Sequence, residues 1–437
     1  MARALSSPTR AGAAGTPPNV LWIITDDQMR STLPYMPRVG RRLVGRGMRF
    51  RKGYAAVPLC GPARASMLSG MYPHNHHCLT NGTHRQFVDQ GLDQDTVATR
   101  MKAAGYDTGY FGKYMNGMHG DDRNRIYRAP GWDRWVNRLV GQDFCVDGVV
   151  RTVKGRVDQY SADKCRRFIE DRPGRPWFAV FAPRNPHNDF DLEYNPTPAH
   201  AHDFDGVRWD PPAFNEQNMA DKPSFWHAVR PRNRESMRAA WEGKLEELQD
   251  TDDHIAQILD ALAATNQLAR TYIFFVSDNG FLLGEHRMFA KGKAFEESSG
   301  IPFVVRGPGV SVGTGGALVS QVDLMPTTLA IAGVEPDAGR ALDGRSMLGP
   351  LSSGDWSGWR RRLLVEHPKL GWAMLRERSL AFVDHYEAGE QELYDLATDP
   401  YQLRSRARDT DTTAMTARLT AMRTAAGVQL RELEAAP

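Results

Sequence analysis

Asn19-Val20-Leu21-Trp22-Ile23-Ile24, followed at once by Thr25-Asp26-Asp27, is the stretch on which the fold turns. A short unbroken apolar run has no polar face, so it suits a strand buried on both sides of a parallel sheet. The pattern recurs in Pro176-Trp177-Phe178-Ala179-Val180-Phe181-Ala182 and in Ile301-Pro302-Phe303-Val304-Val305. It recurs again in Tyr272-Ile273-Phe274-Phe275-Val276, which ends in Ser277-Asp278-Asn279-Gly280. Thr108-Gly109-Tyr110-Phe111-Gly112 reads as a shorter strand leading to Lys113. Helical spacing lies between these runs. Residues 94–104 form one helix, with Gly105 where a C-terminal cap belongs. Residues 235–264 form a long amphipathic helix, with Leu245, Leu248, Ile255, Ile258, Leu259 and Leu262 on one stripe. Asp323 is placed to cap a helix that runs through Ala332 and stops at Gly333. Strands alternating with helices predict an α/β fold, a large mostly parallel sheet sandwiched by helices.

Beyond residue 345 the character changes. Short alternating segments such as Ser379-Leu380-Ala381-Phe382-Val383 predict a smaller C-terminal α+β domain at 346–437, with an antiparallel sheet and a closing helix in 412–433. Residues 1–18 are small and polar and read as a disordered tail, which leaves 19–345 as the main domain. Residues 188–232, rich in Pro, Asn, Asp and aromatics, read as a long irregular insertion near the site.

The 437 residues hold 55 basic and 52 acidic side chains, a net charge of +3, which argues against nucleic-acid binding. The apolar fraction of 41% and charged fraction of 24% are those of a globular protein. No run of about 18 apolar residues predicts a membrane span. The N-terminus shows no apolar core of signal-peptide type, so the chain as written is expected in the cytoplasm, with export open if the true start lies elsewhere. The four cysteines, Cys60, Cys78, Cys145 and Cys165, match no zinc spacing and are too few for a disulfide scaffold.

In open α/β sheets, ligands bind beyond the carboxyl ends of strands. Asp26 and Asp27 leave one buried strand at such an end, and Asp278 and Asn279 leave another. Taken singly, such pairs also serve as turn residues or helix caps. Converging, three carboxylates and an amide require a cation, and hard oxygen donors suit Ca²⁺ or Mg²⁺. The second feature is Leu59-Cys60-Gly61-Pro62-Ala63-Arg64-Ala65-Ser66-Met67-Leu68-Ser69-Gly70. Pro62 fits the first turn of a helix, which puts Cys60 at its positive end, and Arg64 follows about one turn along, near enough to steady an oxyanion on residue 60. Alone, this fits a thiol nucleophile, a redox thiol or a plain buried residue.

Cys60-x-Pro62-x-Arg64 followed by Ser69-Gly70 resembles the maturation signature of type I sulfatases, members of the alkaline phosphatase superfamily. Other landmarks of that family follow in order over nearly the whole chain: the Asp26-Asp27 strand, Gly112-Lys113-Tyr114, Asp278-Asn279-Gly280 with Leu283-Gly284-Glu285-His286, Arg306-Gly307-Pro308-Gly309, and Glu392-Leu393-Tyr394-Asp395-Leu396 with Asp399-Pro400. The resemblance implies an alkaline-phosphatase-like fold. It implies hydrolysis of sulfate monoesters by residue 60 after a formylglycine-generating enzyme has oxidised its thiol to the aldehyde formylglycine. The aldehyde hydrate attacks sulfur, giving a covalent sulfo-enzyme, and its second hydroxyl then expels sulfate. The resemblance also implies Asp26, Asp27, Cys60, Asp278 and Asn279 as the Ca²⁺ or Mg²⁺ site, and Lys113 and Lys291 as sulfate ligands, with Lys293 a rival for Lys291. His187 is implied as the histidine at the sulfate, with Arg184 a rival for that place.

One position departs from the family. Many members carry a histidine two residues after the lysine, where this chain has Met115, so the base it supplies is left without a residue. Gly112-Lys113-Tyr114-Met115-Asn116, His74-Asn75-His76 and Pro130-Gly131-Trp132 resemble N-acetylglucosamine-6-sulfatases and heparan endosulfatases. That branch implies a sulfated carbohydrate substrate, with His74, Asn116 and His286 as substrate-binding residues. Phosphonate monoester hydrolases and phosphodiesterases share the superfamily and form one alternative. A non-catalytic protein that binds a sulfated ligand with Cys60 unmodified forms another.

Overall fold

The computed structural model describes residues 16–118, 122–188 and 192–436. Sixteen strands are assigned. Those of the large sheet are β1 (Asn19–Thr25), β2 (Met48–Tyr54), β3 (Asp107–Gly112), β4 (Arg134–Arg138), β5 (Asp143–Val146), β6 (Val149–Thr152), β7 (Trp177–Ala182) and β8 (Thr271–Ser277), joined by β11 (Phe303–Arg306) and β12 (Gly313–Ser320). A two-residue hairpin, β9 (Leu282–Leu283) and β10 (Phe289–Ala290), stands apart. The C-terminal sheet is β13 (Arg362–His367), β14 (Trp372–Glu377), β15 (Leu380–His385) and β16 (Glu390–Asp395).

The large sheet runs in the order β12-β2-β11-β8-β1-β7-β3-β4-β5-β6. Its centre, β8-β1-β7-β3-β4, is parallel, as the continuous apolar runs require. The flanks are not. β11 lies antiparallel between β8 and β2, and β5 and β6 add an antiparallel meander beyond β4. An apolar run reports burial on both faces and carries no sign of direction, so Ile301–Val305 gives no warning that its strand reverses.

Alternate residues of β1 enter two different cores. Val20, Trp22 and Ile24 pack with Ala63, Ala65, Met67 and Leu68 of the helix Cys60–Ser69 on one face. Leu21 and Ile23 pack with Leu245, Leu248, Ile255 and Ile258 of the helix Arg234–Ala264 on the other. Helices on both faces leave the strand ends as the one open edge where polar residues can gather.

Local details adjust several expectations. The predicted 94–104 helix is the shorter Val97–Ala103, started by a Thr96/Thr99 capping box and ended near Gly105 at φ +85°. Asp323 does not cap the following helix Leu324–Ile331. Its carboxylate accepts the Ser320 N–H (2.8 Å) and pairs with buried Arg360 (2.6 Å). The closing helix in 412–433 is two helices, Thr413–Met422 and Gly427–Ala435. They pack on the C-terminal sheet in a core that also takes Ala56, Tyr72 and Val322. Residues 188–232 are irregular apart from a 3-10 turn at Ser224–Trp226, within the described residues. The expected tail falls mostly outside the described residues, but the Pro18 carbonyl accepts a hydrogen bond from Tyr106 Oη (3.0 Å), so the held chain starts before residue 19. Among the described residues no helix is long and apolar enough to cross a membrane.

This packing sets a stability contrast. Ile255→Ala empties fully buried volume beneath the sheet and should cost about 2–5 kcal/mol. Leu370→Ala, at a side chain 51% exposed, should change stability by less than about 0.5 kcal/mol. Urea midpoints of the two variants check it, and equal midpoints would contradict the assigned core.

Candidate active site

β1 and β8 pair residue for residue, from Asn19↔Thr271 to Thr25↔Ser277. The two acidic segments therefore leave the sheet side by side. Asp26, Asp27, Asp278 and Asn279 are at most 1% exposed. Asp27 turns with φ +59°, a left-handed conformation uncommon outside glycine. Asp278 Oδ1 receives the Asp27 N–H (3.1 Å) and the Asn279 N–H (2.9 Å), and Asn279 Nδ2 donates to Asp27 Oδ1 (2.6 Å). Gly280 is obligatory here, since a Cβ would lie 2.1 Å from the Glu297 carbonyl oxygen.

The helix Cys60–Ser69 points its N-terminus at this cluster, with Cys60 as its first residue. Pro62 needs no N–H partner in that first turn, and Gly70 ends the helix at φ +69°. Cys60 Sγ lies 3.4 Å from Asp26 Oδ1 and 3.7 Å from Asp27 Oδ1. Burial, then the Asp278 charge, pushes the Cys60 thiol up. Arg64 is 1% exposed and reaches a different target from the one expected. Its Nε donates to Asp278 Oδ2 (2.9 Å), Nη2 lies 3.8 Å from Asp26 Oδ2, and Nη1 donates to the Lys113 carbonyl. It orients the carboxylates and makes no hydrogen bond to residue 60.

Two lysines close the cluster. Lys113 follows Gly112, whose φ of +120° and absent Cβ let the chain pass the Ala182 carbonyl. Its ammonium donates to Asp26 Oδ2. Lys291 donates to Asp27 Oδ1 and, at 2.7 Å, to Cys60 Sγ. Lys291 is thus the lysine at the site, while the Lys293 backbone is tied to Ser298 and Ser299. Burial raises the Asp26 carboxyl, but Lys113, His187, Arg64 and Lys291 outweigh it and hold the group well below the usual range. Burial and then the neighbouring Asp26 push Asp278 up to about 6. His187, one-third exposed, places Nε2 3.6 Å from Asp27 Oδ2 and Nδ1 2.7 Å from the Asn188 carbonyl. Arg184 is turned away. It donates to the Asn188 carbonyl (2.5 Å) and lines a separate cavity of about 450 Å³ with Asp158, Glu247 and His254.

The oxygens of Asp26, Asp27, Asp278 and Asn279 fit a hard cation, with Cys60 and His187 beside them. Ligand atoms of Asp26, Asp27, Cys60 and His187 lie within 4.8 Å of one another. Two buried oxygens facing the cluster, Asp27 Oδ2 and Asn279 Oδ1, have no hydrogen-bond partner among the described residues. Oxygen-rich donors of this kind suit Ca²⁺ or Mg²⁺ better than zinc.

The three expected substrate contacts fare differently. His74 is a correction. Its Nδ1 bonds Glu366 (2.8 Å) and its Nε2 the Ala425 carbonyl (2.9 Å), so both ring nitrogens are spent tying the C-terminal region down. His286 is also a correction. It is fully buried, with Nδ1 on Glu216 (2.6 Å), its ring stacked on Phe295 at 3.8 Å and Nε2 without a hydrogen-bond partner among the described residues, so it packs away from the opening. Asn116 stays half-buried, with Oδ1 free of hydrogen bonds among the described residues. Met115 is 4% exposed in the apolar core, so it supplies no proton acceptor. One residue escaped sequence reasoning altogether. Lys244, buried in the helix Arg234–Ala264, donates to the carbonyls of Asp27 (3.1 Å) and Pro186 (3.0 Å). A lysine inside a long amphipathic helix looks like any solvated charge, and only an apolar stripe that failed to exclude it would have marked it.

Comparison with known proteins agrees with this geometry. The profile of the Sulfatase family matches residues 18–334, and that of the N-sulphoglucosamine sulphohydrolase C-terminal region matches residues 284–427. An extracellular sulfatase SULF-1 homolog of Drosophila melanogaster is 30% identical over 77% of this chain and 31% of its own length. The N-acetylglucosamine-6-sulfatase of Homo sapiens is 29% identical over 81% of this chain and 68% of its own. The chain thus spans only about a third of the fly relative. Two solved structures share the fold. One, a complex with its substrate D-glucosamine-2-N,6-O-disulfate, has a TM-score of 0.76 and 23% identity over 92% of this chain and 96% of that one. The other, a phosphonate monoester hydrolase from Silicibacter pomeroyi, has a TM-score of 0.75 and 23% identity over 92% and 94%. With the acidic strand ends, the cysteine-led helix and a family profile that spans more than half of its length, the chain belongs to the Sulfatase family.

Proposed function

We propose that this chain hydrolyses sulfate monoesters of a carbohydrate, with 6-O-sulfated glucosamine units as the substrate class. The observation that carries the reading is the meeting of Cys60 with Asp26, Asp27, Lys291 and His187 at the end of the central strands. The human N-acetylglucosamine-6-sulfatase and the disulfated glucosamine complex support the choice of sugar. The reading includes oxidation of Cys60 by a formylglycine-generating enzyme.

Asp26, Asp27, Asp278 and Asn279 would hold Ca²⁺ or Mg²⁺, with residue 60 beside them. When bound, the cation makes an oxygen on oxidised residue 60 acidic enough to attack at neutral pH and lowers the cost of gathering three carboxylates. The chain's own groups do the rest. Lys113 and Lys291, which lie on Asp26 and Asp27, would turn to the anionic oxygens of the ester once a cation compensated those carboxylates. Both are 12–13% exposed, so they stand at the opening. Their charge also stabilises the negative charge that grows on the leaving oxygen. The Asn188 carbonyl can only accept, so His187 keeps its proton on Nδ1 and exchanges the second one at Nε2. Nε2 faces the cluster and serves as proton acceptor and donor where Met115 offers none. Arg64 and the helix N-terminus hold the arrangement from beneath.

Three outcomes test this. In protein made with a formylglycine-generating enzyme, the peptide containing residue 60 should lose sulfur and two hydrogens and gain one oxygen by mass spectrometry, and Cys60→Ala should cut turnover by about a thousandfold or more with folding intact. A residual thiol in active protein would exclude the mechanism. Chelation should abolish turnover of glucosamine 6-sulfate and lower the melting temperature, and Ca²⁺ should restore both. Insensitivity to chelation would remove the metal. On a matched panel, the aryl sulfate and the sulfated sugar should react faster than an aryl phosphodiester. The opposite ranking would favour a phosphonate or phosphodiester hydrolase.

A further inference from the structure

We infer that Lys244 is a positioning residue that locks the Asp27 turn and the His187 loop into one unit, an inference that rests on the cation site of the proposed function. Lys244 lies about a third of the way along the helix Arg234–Ala264 and is fully buried. Burying an ammonium is unfavourable unless its protons and its charge find partners. No carboxylate lies within 4.0 Å of its Nζ among the described residues. The ammonium instead donates to two backbone carbonyls, of Asp27 (3.1 Å) and Pro186 (3.0 Å), and sits 4.4 Å from the centre of the Phe281 ring.

The two carbonyls belong to the two segments whose separation decides the site. Asp27 is held in the left-handed region, where a residue with a side chain is strained unless its surroundings fix it. Its backbone is gripped on both sides of the α-carbon. Asp278 Oδ1 takes the N–H, and Lys244 takes the C=O. Pro186 immediately precedes His187, whose Nε2 stands 3.6 Å from Asp27 Oδ2. One ammonium therefore ties the backbone of a cation ligand to the residue that precedes the histidine. The same helix supports the loop one turn on, where the Glu247 carbonyl accepts from Asn185 Nδ2 (3.2 Å). From the other side, the Asp158 carboxylate takes the N–H groups of Arg184 (2.9 Å) and Asn185 (2.9 Å). Asp158 and Glu247 touch the loop and not the turn. Lys244 reaches across to the Asp27 carbonyl, beside a longer backbone tie from the Asp26 N–H to the Asn185 carbonyl (3.4 Å).

A graded series, Lys244→Arg, Lys244→Gln and Lys244→Met, tests this. Ca²⁺ affinity is measured by calorimetric titration on protein whose Cys60 is left as the thiol, so the readout is independent of turnover. Loss of a partner that orients metal ligands lowers affinity by about 10–100-fold, the range expected for the methionine variant. The arginine variant, which keeps two donors and the charge, should retain most of the affinity, with glutamine between. On the converted enzyme, kcat should fall in the same order while KM for the sulfate ester holds, since Lys244 touches no substrate. Folding is followed by near-ultraviolet circular dichroism, and a methionine variant that does not fold leaves the arginine–glutamine comparison to decide. Wild-type affinity and kcat in folded methionine or glutamine variants would overturn the inference. Should the affinities rank as expected while no sulfate ester is cleaved, the positioning role stands and the proposed reaction falls.

Discussion

The structure depends on a concentration of buried negative charge at the ends of two hydrogen-bonded strands. In-register pairing of β1 with β8 leaves Asp26, Asp27 and Asp278 no route apart. At an effective dielectric constant near 20, two like charges 4 Å apart repel by about 4 kcal/mol, so three cannot persist unanswered. Four cations answer them, and each arrives on a different element. Arg64 comes from the helix behind Cys60, Lys113 from the end of β3, Lys291 from the segment after the β9–β10 hairpin, and Lys244 from the long helix on the opposite face. The electrostatic requirement thus brings four elements of the fold together at one point.

The four cations are not equivalent. Arg64 is locked by a planar, multidentate set of partners and is out of reach of solvent, which suits a permanent structural charge. Lys244 is equally buried but spends its protons on backbone carbonyls, so it fixes geometry as well as charge. Lys113 and Lys291 approach the opening on flexible stems, and their partners are the carboxylates a bound cation would claim. Fixed charges sit below and movable charges above, and that layering separates holding the site together from receiving a ligand.

The sequence made the parallel centre legible because an apolar run five to seven residues long has few other places to go. It also exposed both acidic strand ends and Cys60 with Arg64, by their places after a strand or in the first turns of a helix, whereas Lys113, Lys291 and His187 were marked by resemblance to the family's motifs. It hid direction and edges. β2, with charges at Arg49, Arg51 and Lys52, lacks an apolar run, and β11 gives no clue that it reverses. It also hid the partners of histidines. The segment around His74 resembles one from substrate-binding relatives, yet Glu366 and Ala425, nearly 300 residues and more along the chain, occupy both its nitrogens. Residue type and local spacing announce that a group can bind. Only tertiary placement says whether the protein has already used it.

The layering has a thermodynamic consequence for an anionic substrate. An acidic centre should repel a sulfate ester, and the two lysines that could attract it also face Asp26 and Asp27. A lysine ammonium that neutralises a buried carboxylate cannot at the same time give its full charge to an incoming ester. On the proposed reading, cation and ester therefore bind as linked events, each raising the affinity for the other by the same factor. The coupling needs no moving domain. It would require only that Lys113 and Lys291 exchange one set of oxygens for another, while Arg64 holds the Asp278 carboxylate and Lys244 the Asp27 backbone.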